Sequence, residues 1–158
     1  VSEHWLVFVP VNPRFAPTAK QISAGTEFIQ RLVQDKTHIK TNLSEGIRFI
    51  DCGENFESVT CPACGVQIKL DWWSDAMSKD YIAMDGRPTE RSFQLANFTL
   101  PNCGHQTSLD RLIYKETQVF AKFSLEILNP DLEALSDSQM WELEGLLGCE
   151  VTFFHKHL

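Results

Sequence analysis

The sequence predicts an α+β protein, a two-layer sandwich of one sheet and two helices whose halves lie at the two ends of the chain. Three observations predict it. The first third reads strand, helix, strand; the last third repeats that order; and the stretch between, 52–117, breaks the pattern with cysteine-bearing turns. On these boundaries residues 1–51 and 118–158 are the halves of one domain and 52–117 is an insertion between them. A chain of 158 residues with 43% hydrophobic and 22% charged residues has the length and composition for such a core with a small added module.

In the first half, Trp5, Val7, Val9 and Val11 alternate with Leu6, Phe8 and Pro10. Both faces of that strand are apolar, which places it in the interior of a sheet. Asn12-Pro13 and Ala16-Pro17 mark the turn that follows. Thr18 with Gln21 forms a capping box, each side chain serving the other residue's backbone N–H. Beyond it Ile22, Phe28, Ile29, Leu32 and Val33 recur at helical spacing, and Gly46–Ile50 reads as the second strand.

In the second half, Val119, Ala121, Phe123, Leu125 and Ile127 alternate with Lys122, Ser124 and Glu126, a strand expected to have one wet face. Asn129-Pro130 ends it. Ser136 with Gln139 is a second capping box, and Leu135 can staple onto Met140. Met140, Leu143 and Leu147 mark the buried side of the second helix, Gly148 its C-terminal cap, and Val151–His157 a last strand. Strand–helix–strand twice over corresponds to a ferredoxin-like sandwich.

The insertion carries the chemistry. Cys61-Pro62-Ala63-Cys64-Gly65 has two cysteines spaced so that both sulfurs face one ion, with a glycine where the chain must turn left-handed. Val66, Ile68 and Leu70 alternate after it, so a strand follows rather than the helix N-terminus a redox pair uses to acidify its thiol. Leu100-Pro101-Asn102-Cys103-Gly104-His105 repeats the motif at Pro, Cys and Gly, with Leu100 in place of the first cysteine. In these residues the insertion resembles the zinc-ribbon family, whose knuckles read Cys-Pro-x-Cys-Gly. The resemblance implies a structural Zn2+ held by Cys61, Cys64 and Cys103, with His105 as the fourth ligand and Cys52 or Asp51 as alternatives. A vacant fourth position would instead leave a bound water, as catalytic zinc requires. Against that stand the weak Lewis acidity of a thiolate-rich ion and the lack of a His-Glu-x-x-His, phosphate-loop, Gly-x-Ser-x-Gly or zinc-deaminase motif. The expectation is therefore a protein with no catalytic residues.

Net charge is −7, and no Lys or Arg lies between Lys122 and Lys156, where Glu126, Asp131, Glu133, Asp137, Glu142, Glu144 and Glu150 fall. Such a surface repels phosphate backbones and anionic lipid and attracts basic partners. Lys69, Lys79, Arg87 and Arg91 against eight acids over 51–92 make no basic stripe, which disfavours the nucleic-acid binding common among zinc ribbons. Five cysteines, three of them in knuckle contexts, suit a metal in a reducing, cytoplasmic compartment. The apolar run Trp5–Val11 is too short for a membrane span and lacks the flanks of a secretory signal.

Trp141 falls off the apolar side of its helix, beside Asp137, Ser138, Glu144 and Gly145. An aromatic among carboxylates has the composition of a contact for a basic protein, so Trp141, Asp137 and Glu144 are the candidate partner-binding residues. The alternative is that Trp141 packs on the insertion. Size and charge match a neutralising inhibitor of a basic toxin, in the manner of bacterial immunity proteins. Asp71 reads as the N-cap of a helix with a stripe of Trp73, Met77, Tyr81 and Met84, and Asp85–Arg91 as a polar loop; His155 and His157 share one face of the last strand and could bind a metal together, but a lone pair of this kind reads first as a solvated strand end.

Overall fold

The computed structural model describes residues 3–33, 38–50, 58–114 and 119–157. Along them run β1 (His4–Pro10), α1 (Ala19–Leu32), β2 (His38–Ile50), β3 (Val59–Thr60), β4 (Gln67–Ile68), α2 (Leu70–Asp80), β5 (Tyr81–Met84), β6 (Arg87–Phe93), β7 (Phe98–Thr99), β8 (Gln106–Thr107), β9 (Ile113–Tyr114), β10 (Val119–Leu128), α3 (Asp137–Leu147) and β11 (Val151–His157). The fold is α+β with antiparallel sheets. The main sheet has the order β11-β1-β10-β2, so β1 and β2 are separated by a strand of the other half, as are β10 and β11. The two strand–helix–strand units interleave, and neither closes a sheet without the other.

Local chemistry sets the helix ends. Both capping boxes form, Thr18 with Gln21 and Ser136 with Gln139, and Gly148 closes α3 in the left-handed conformation. On one face of the sheet Leu6, Phe8, Phe123, Leu125 and Ile127 pack against Phe28 and Ile29 of α1 and Leu143 and Leu147 of α3. On the other face Trp5, Val7, Val9, Ala121 and Phe154 form a second cluster to which no helix residue belongs.

β10 has no wet face. It lies between β1 and β2, and Glu126, only 4% exposed, is roofed by Lys156 at 2.8 Å and Asn42 at 2.7 Å. The second strand also starts eight residues earlier than Gly46. Its first part forms the sheet's edge, where exposed His38 and Lys40 give it the polarity of a loop.

The insertion packs on the far end of β2 and β10 through a cluster that includes Ile47, Val59, Ile68, Ala76, Phe93, Leu100, Leu109 and Phe120. Trp73 of α2 meets Phe49 of β2 edge-on, and Phe93 meets Phe120 the same way. Gly46 permits the seating: a Cβ there would strike the Arg91 carbonyl oxygen and lie 2.7 Å from Ser92 Cβ, while the next amide, Ile47 N–H, donates to Ser92 Oγ at 2.9 Å. The expected stripe through Tyr81 and Met84 is not helical. α2 is N-capped by Lys69, with Asp71 in its first turn, and ends at Asp80. The Asp80 carboxylate is buried and accepts the N–H groups of Leu95 and Ala96, which removes the penalty of an unpaired acid. Tyr81–Met84 and Arg87–Phe93 pair as a hairpin around Asp85-Gly86, so most of the expected polar loop is strand.

At the other end of the main sheet three histidines meet. His4 Nε2 lies 2.6 Å from His155 Nδ1, and the His4 ring stacks on His157 at 4.8 Å. Burial, then the charges of His155 and His157, hold His4 below its ordinary range, with Glu133 opposing. The folded chain thus resists a proton that the unfolded chain accepts. This contribution to stability is whole above about pH 6.5 and declines as the pH falls below it. Thermal melts between about pH 8 and pH 5 are expected to show a decline that His4→Gln flattens; parallel curves for the two proteins would contradict it.

Among the described residues no helix is long and apolar enough to cross a membrane.

Candidate metal centre

Two hairpins of the insertion present matching turns. β3 pairs with β4 around the turn Cys61–Val66, and β7 with β8 around Leu100–His105. The turns share their hydrogen bonds. Cys61 N–H donates to the Val66 carbonyl at 2.9 Å and Gly65 N–H to the Cys61 carbonyl at 3.0 Å; Leu100 N–H donates to the His105 carbonyl at 2.9 Å and Gly104 N–H to the Leu100 carbonyl at 3.0 Å. Gly65 and Gly104 have φ of 74° and 76°, left-handed values that a side chain would strain. The second turn is therefore a knuckle in geometry as well as in sequence, with Leu100 standing where the first has Cys61.

Facing each other, the turns bring together Cys61, Cys64 and Cys103, whose sulfurs all lie within 4.8 Å of one another. Cys61 Sγ and Cys103 Sγ are 3.7 Å apart. That is far beyond a disulfide of about 2.0 Å. It matches the edge of about 3.8 Å that a tetrahedron with metal–sulfur bonds of about 2.3 Å would have. The three cysteines are thus close enough together to hold one metal ion.

The electrostatics favour ionised sulfur at the buried corner. Burial pushes the Cys61 thiol up, but the backbone N–H groups of Cys64 and Ala63 and the side chains of Asn102 and Cys103 outweigh it and bring it down to about 6. At Cys103 the His105 amide pulls downward, yet burial and the neighbouring sulfurs of Cys61 and Cys64 leave that thiol raised. Asn102 Nδ2 donates to Cys64 Sγ at 2.7 Å. This contact was not legible in the sequence, since an asparagine inside a turn ordinarily serves its own backbone.

His105 lies outside the three-sulfur cluster. Its backbone faces inward, the carbonyl toward Leu100 and the amide toward Cys103, and the residue is exposed. Leu100 is 1% exposed and packs in the same cluster as Cys61. Asp51 and Cys52 lie outside the described residues. No protein-family model, curated protein or solved structure matches the chain.

The candidate partner-binding residues lie on α3, away from the knuckles. Leu143 and Leu147 face the core, whereas Trp141 is 78% exposed. Trp141 borders an open groove with Glu142, Glu144, Gly145, Leu146, Cys149 and Glu150. Glu144 is half-buried and accepts the Val151 N–H at 2.8 Å, so it braces the turn into β11 as well as lining the groove. Asp137 is exposed in the first turn of α3, where its charge complements the helix N-terminus, and it does not line the groove. Glu142 and Glu150 entered the sequence reading only as members of the acidic stretch and Cys149 not at all, because only the chain reversal at Gly148 brings Cys149 and Glu150 beside Trp141. Burial, with Glu144 nearby, pushes the Cys149 thiol up to about 11, which leaves it protonated and a poor nucleophile at neutral pH.

Proposed function

We propose that the chain is a zinc-stapled, acidic protein-interaction module that docks a basic partner on the outer face of α3. The observation that carries this reading is Trp141, an exposed indole beside a groove whose walls include Glu142, Glu144 and Glu150. An apolar anchor ringed by carboxylates complements a protein surface that offers a hydrophobic side chain among lysines and arginines. The ion in this reading is zinc, held by the three thiolates, with exposed His105 turning its ring inward as the fourth donor. Its role is structural, because it joins two hairpins remote in the chain and because three thiolates make zinc a weak Lewis acid. An inhibitor of a basic protein is the form of partner that the charge suits best.

The test uses Trp141→Ala. Stability is expected to change by no more than about 0.5 kcal/mol, the range for exposed positions. Affinity for a labelled arginine-rich helical peptide carrying a leucine anchor is expected to fall about thirtyfold, and wild-type binding to weaken with salt. Equal binding by both proteins would remove the docking surface, and a large loss of stability would show Trp141 to be part of the core.

A further inference from the structure

The helix-free face of the main sheet holds a polar hollow that neither the metal centre nor the α3 groove uses. Lys40, Asn42, Arg48, Phe49 and Ile50 of β2, Ser124 and Glu126 of β10, and Lys156 of β11 surround a space of about 330 Å³. In sequence Asn42 and Arg48 look remote from each other. A bulge joins them: Leu43 lies opposite Phe123 and Arg48 opposite Ala121, so the intervening residues of β2 loop out and Arg48 follows Asn42 along the sheet.

The charges in the hollow do not balance. Glu126 is satisfied by Lys156 at 2.8 Å, Asn42 at 2.7 Å and Ser124 at 3.1 Å. Burial pushes this carboxyl up, but those donors and the Lys156 charge outweigh burial and keep it below its ordinary range, so it stays ionised and spent on Lys156. Arg48 gives its Nε–H to Ser44 Oγ at 3.0 Å, yet its Nη2 is buried with no hydrogen-bond partner among the described residues. A buried guanidinium N–H without an acceptor is costly enough to demand one. Lys40 reaches over the Trp5 ring and has no carboxylate partner among the described residues. In a protein of net charge −7, two cations without a carboxylate partner among the described residues line one hollow, one of them half-buried Arg48 with its Nη2 buried and unpartnered, and together they call for an anion.

We infer that this hollow binds a phosphate monoester, the phosphoryl oxygens taken by Arg48 and Lys40 and the ester's carbon portion set against Ile50. Two free positive charges favour a dianion over a carboxylate. The guanidinium presents its donors in the fork that phosphoryl oxygens accept.

The experiment is a ¹⁵N–¹H titration of the full chain with inorganic phosphate and with phenyl phosphate, against sodium chloride at matched ionic strength and against acetate. Saturable shifts are expected at Lys40, Asn42, Arg48 and Ser124, with phenyl phosphate binding the tighter of the two. Lys40→Gln, at an exposed edge position, and Arg48→Gln are each expected to weaken binding about tenfold, and Arg111→Gln to leave it unchanged. Retained resonances outside the hollow show that each variant is folded, and Lys40→Gln decides the matter if Arg48→Gln is not. Shifts that chloride or acetate reproduces, or binding that survives both substitutions in the hollow, would overturn the assignment.

Discussion

Replacing Cys61 by serine is expected to empty the metal centre and loosen the insertion while the main sheet persists. Cys61 is the buried corner of the three-sulfur cluster and the sulfur with the most donors around it. Serine retains the size but not the thiolate, so zinc content should fall from about one ion per chain to a small fraction of that. Zinc-finger peptides derive about 10–16 kcal/mol of apparent binding energy from such sites. The insertion also has an apolar cluster shared with β2 and β10, so less should be lost here, at least about 3 kcal/mol, or a fall in melting temperature of roughly 6–12 °C. Hydrogen exchange should lose protection over 58–114 and keep it in β1 and β10, since those strands pack on α1 and α3. Cys149→Ser, far from the cluster, should retain the zinc. Wild-type protein that purifies without metal, or a Cys61→Ser chain with unchanged ion content and melting, would remove the staple and with it the structural reading of the site.

The features legible in the sequence are those set by bonds between near neighbours. Each capping box depends on two side chains three residues apart, and the knuckle turns on a short Cys-Gly spacing, so both could be read directly. The apolar alternation of β1 foretold its interior position, because a strand buried on both faces needs no tertiary knowledge to recognise. What escaped was set by partners remote in the chain. Glu126 looked solvent-facing because Lys156, which covers it, lies 30 residues away. His4 meets His155 across 151 residues of sequence. The hairpin at Asp85-Gly86 was a missed local signal: Asp-Gly between two short strands suits a two-residue turn, but Trp73, Met77, Tyr81 and Met84 also fit helical spacing. Buried Asp80, fixed by the Leu95 and Ala96 amides at the end of α2, decides between the two patterns.

Leu100→Cys is expected to complete the site. Because the second knuckle repeats the first bond for bond, a sulfur at position 100 would stand where Cys61 stands in the first turn, at the remaining corner of the tetrahedron. Without metal the substitution should cost about 1–2 kcal/mol, since a well-packed leucine gives way to a smaller side chain. With metal the sign reverses. A fourth thiolate from a buried, already turned backbone replaces a donor that must be recruited from the exposed surface, and zinc affinity in competition with a chromophoric chelator should rise at least about tenfold. In the cobalt-substituted protein the sulfur-to-metal charge-transfer band should strengthen to that of four thiolates. His105→Ala provides the complementary measurement. In the wild-type background it should weaken zinc binding by removing the recruited imidazole, and in the Leu100→Cys background it should have no effect. An imidazole that matters equally in both backgrounds, or a cobalt spectrum that Leu100→Cys leaves unchanged, would mean that position 100 does not face the ion. The equivalence of the two knuckles would then hold for their backbones alone.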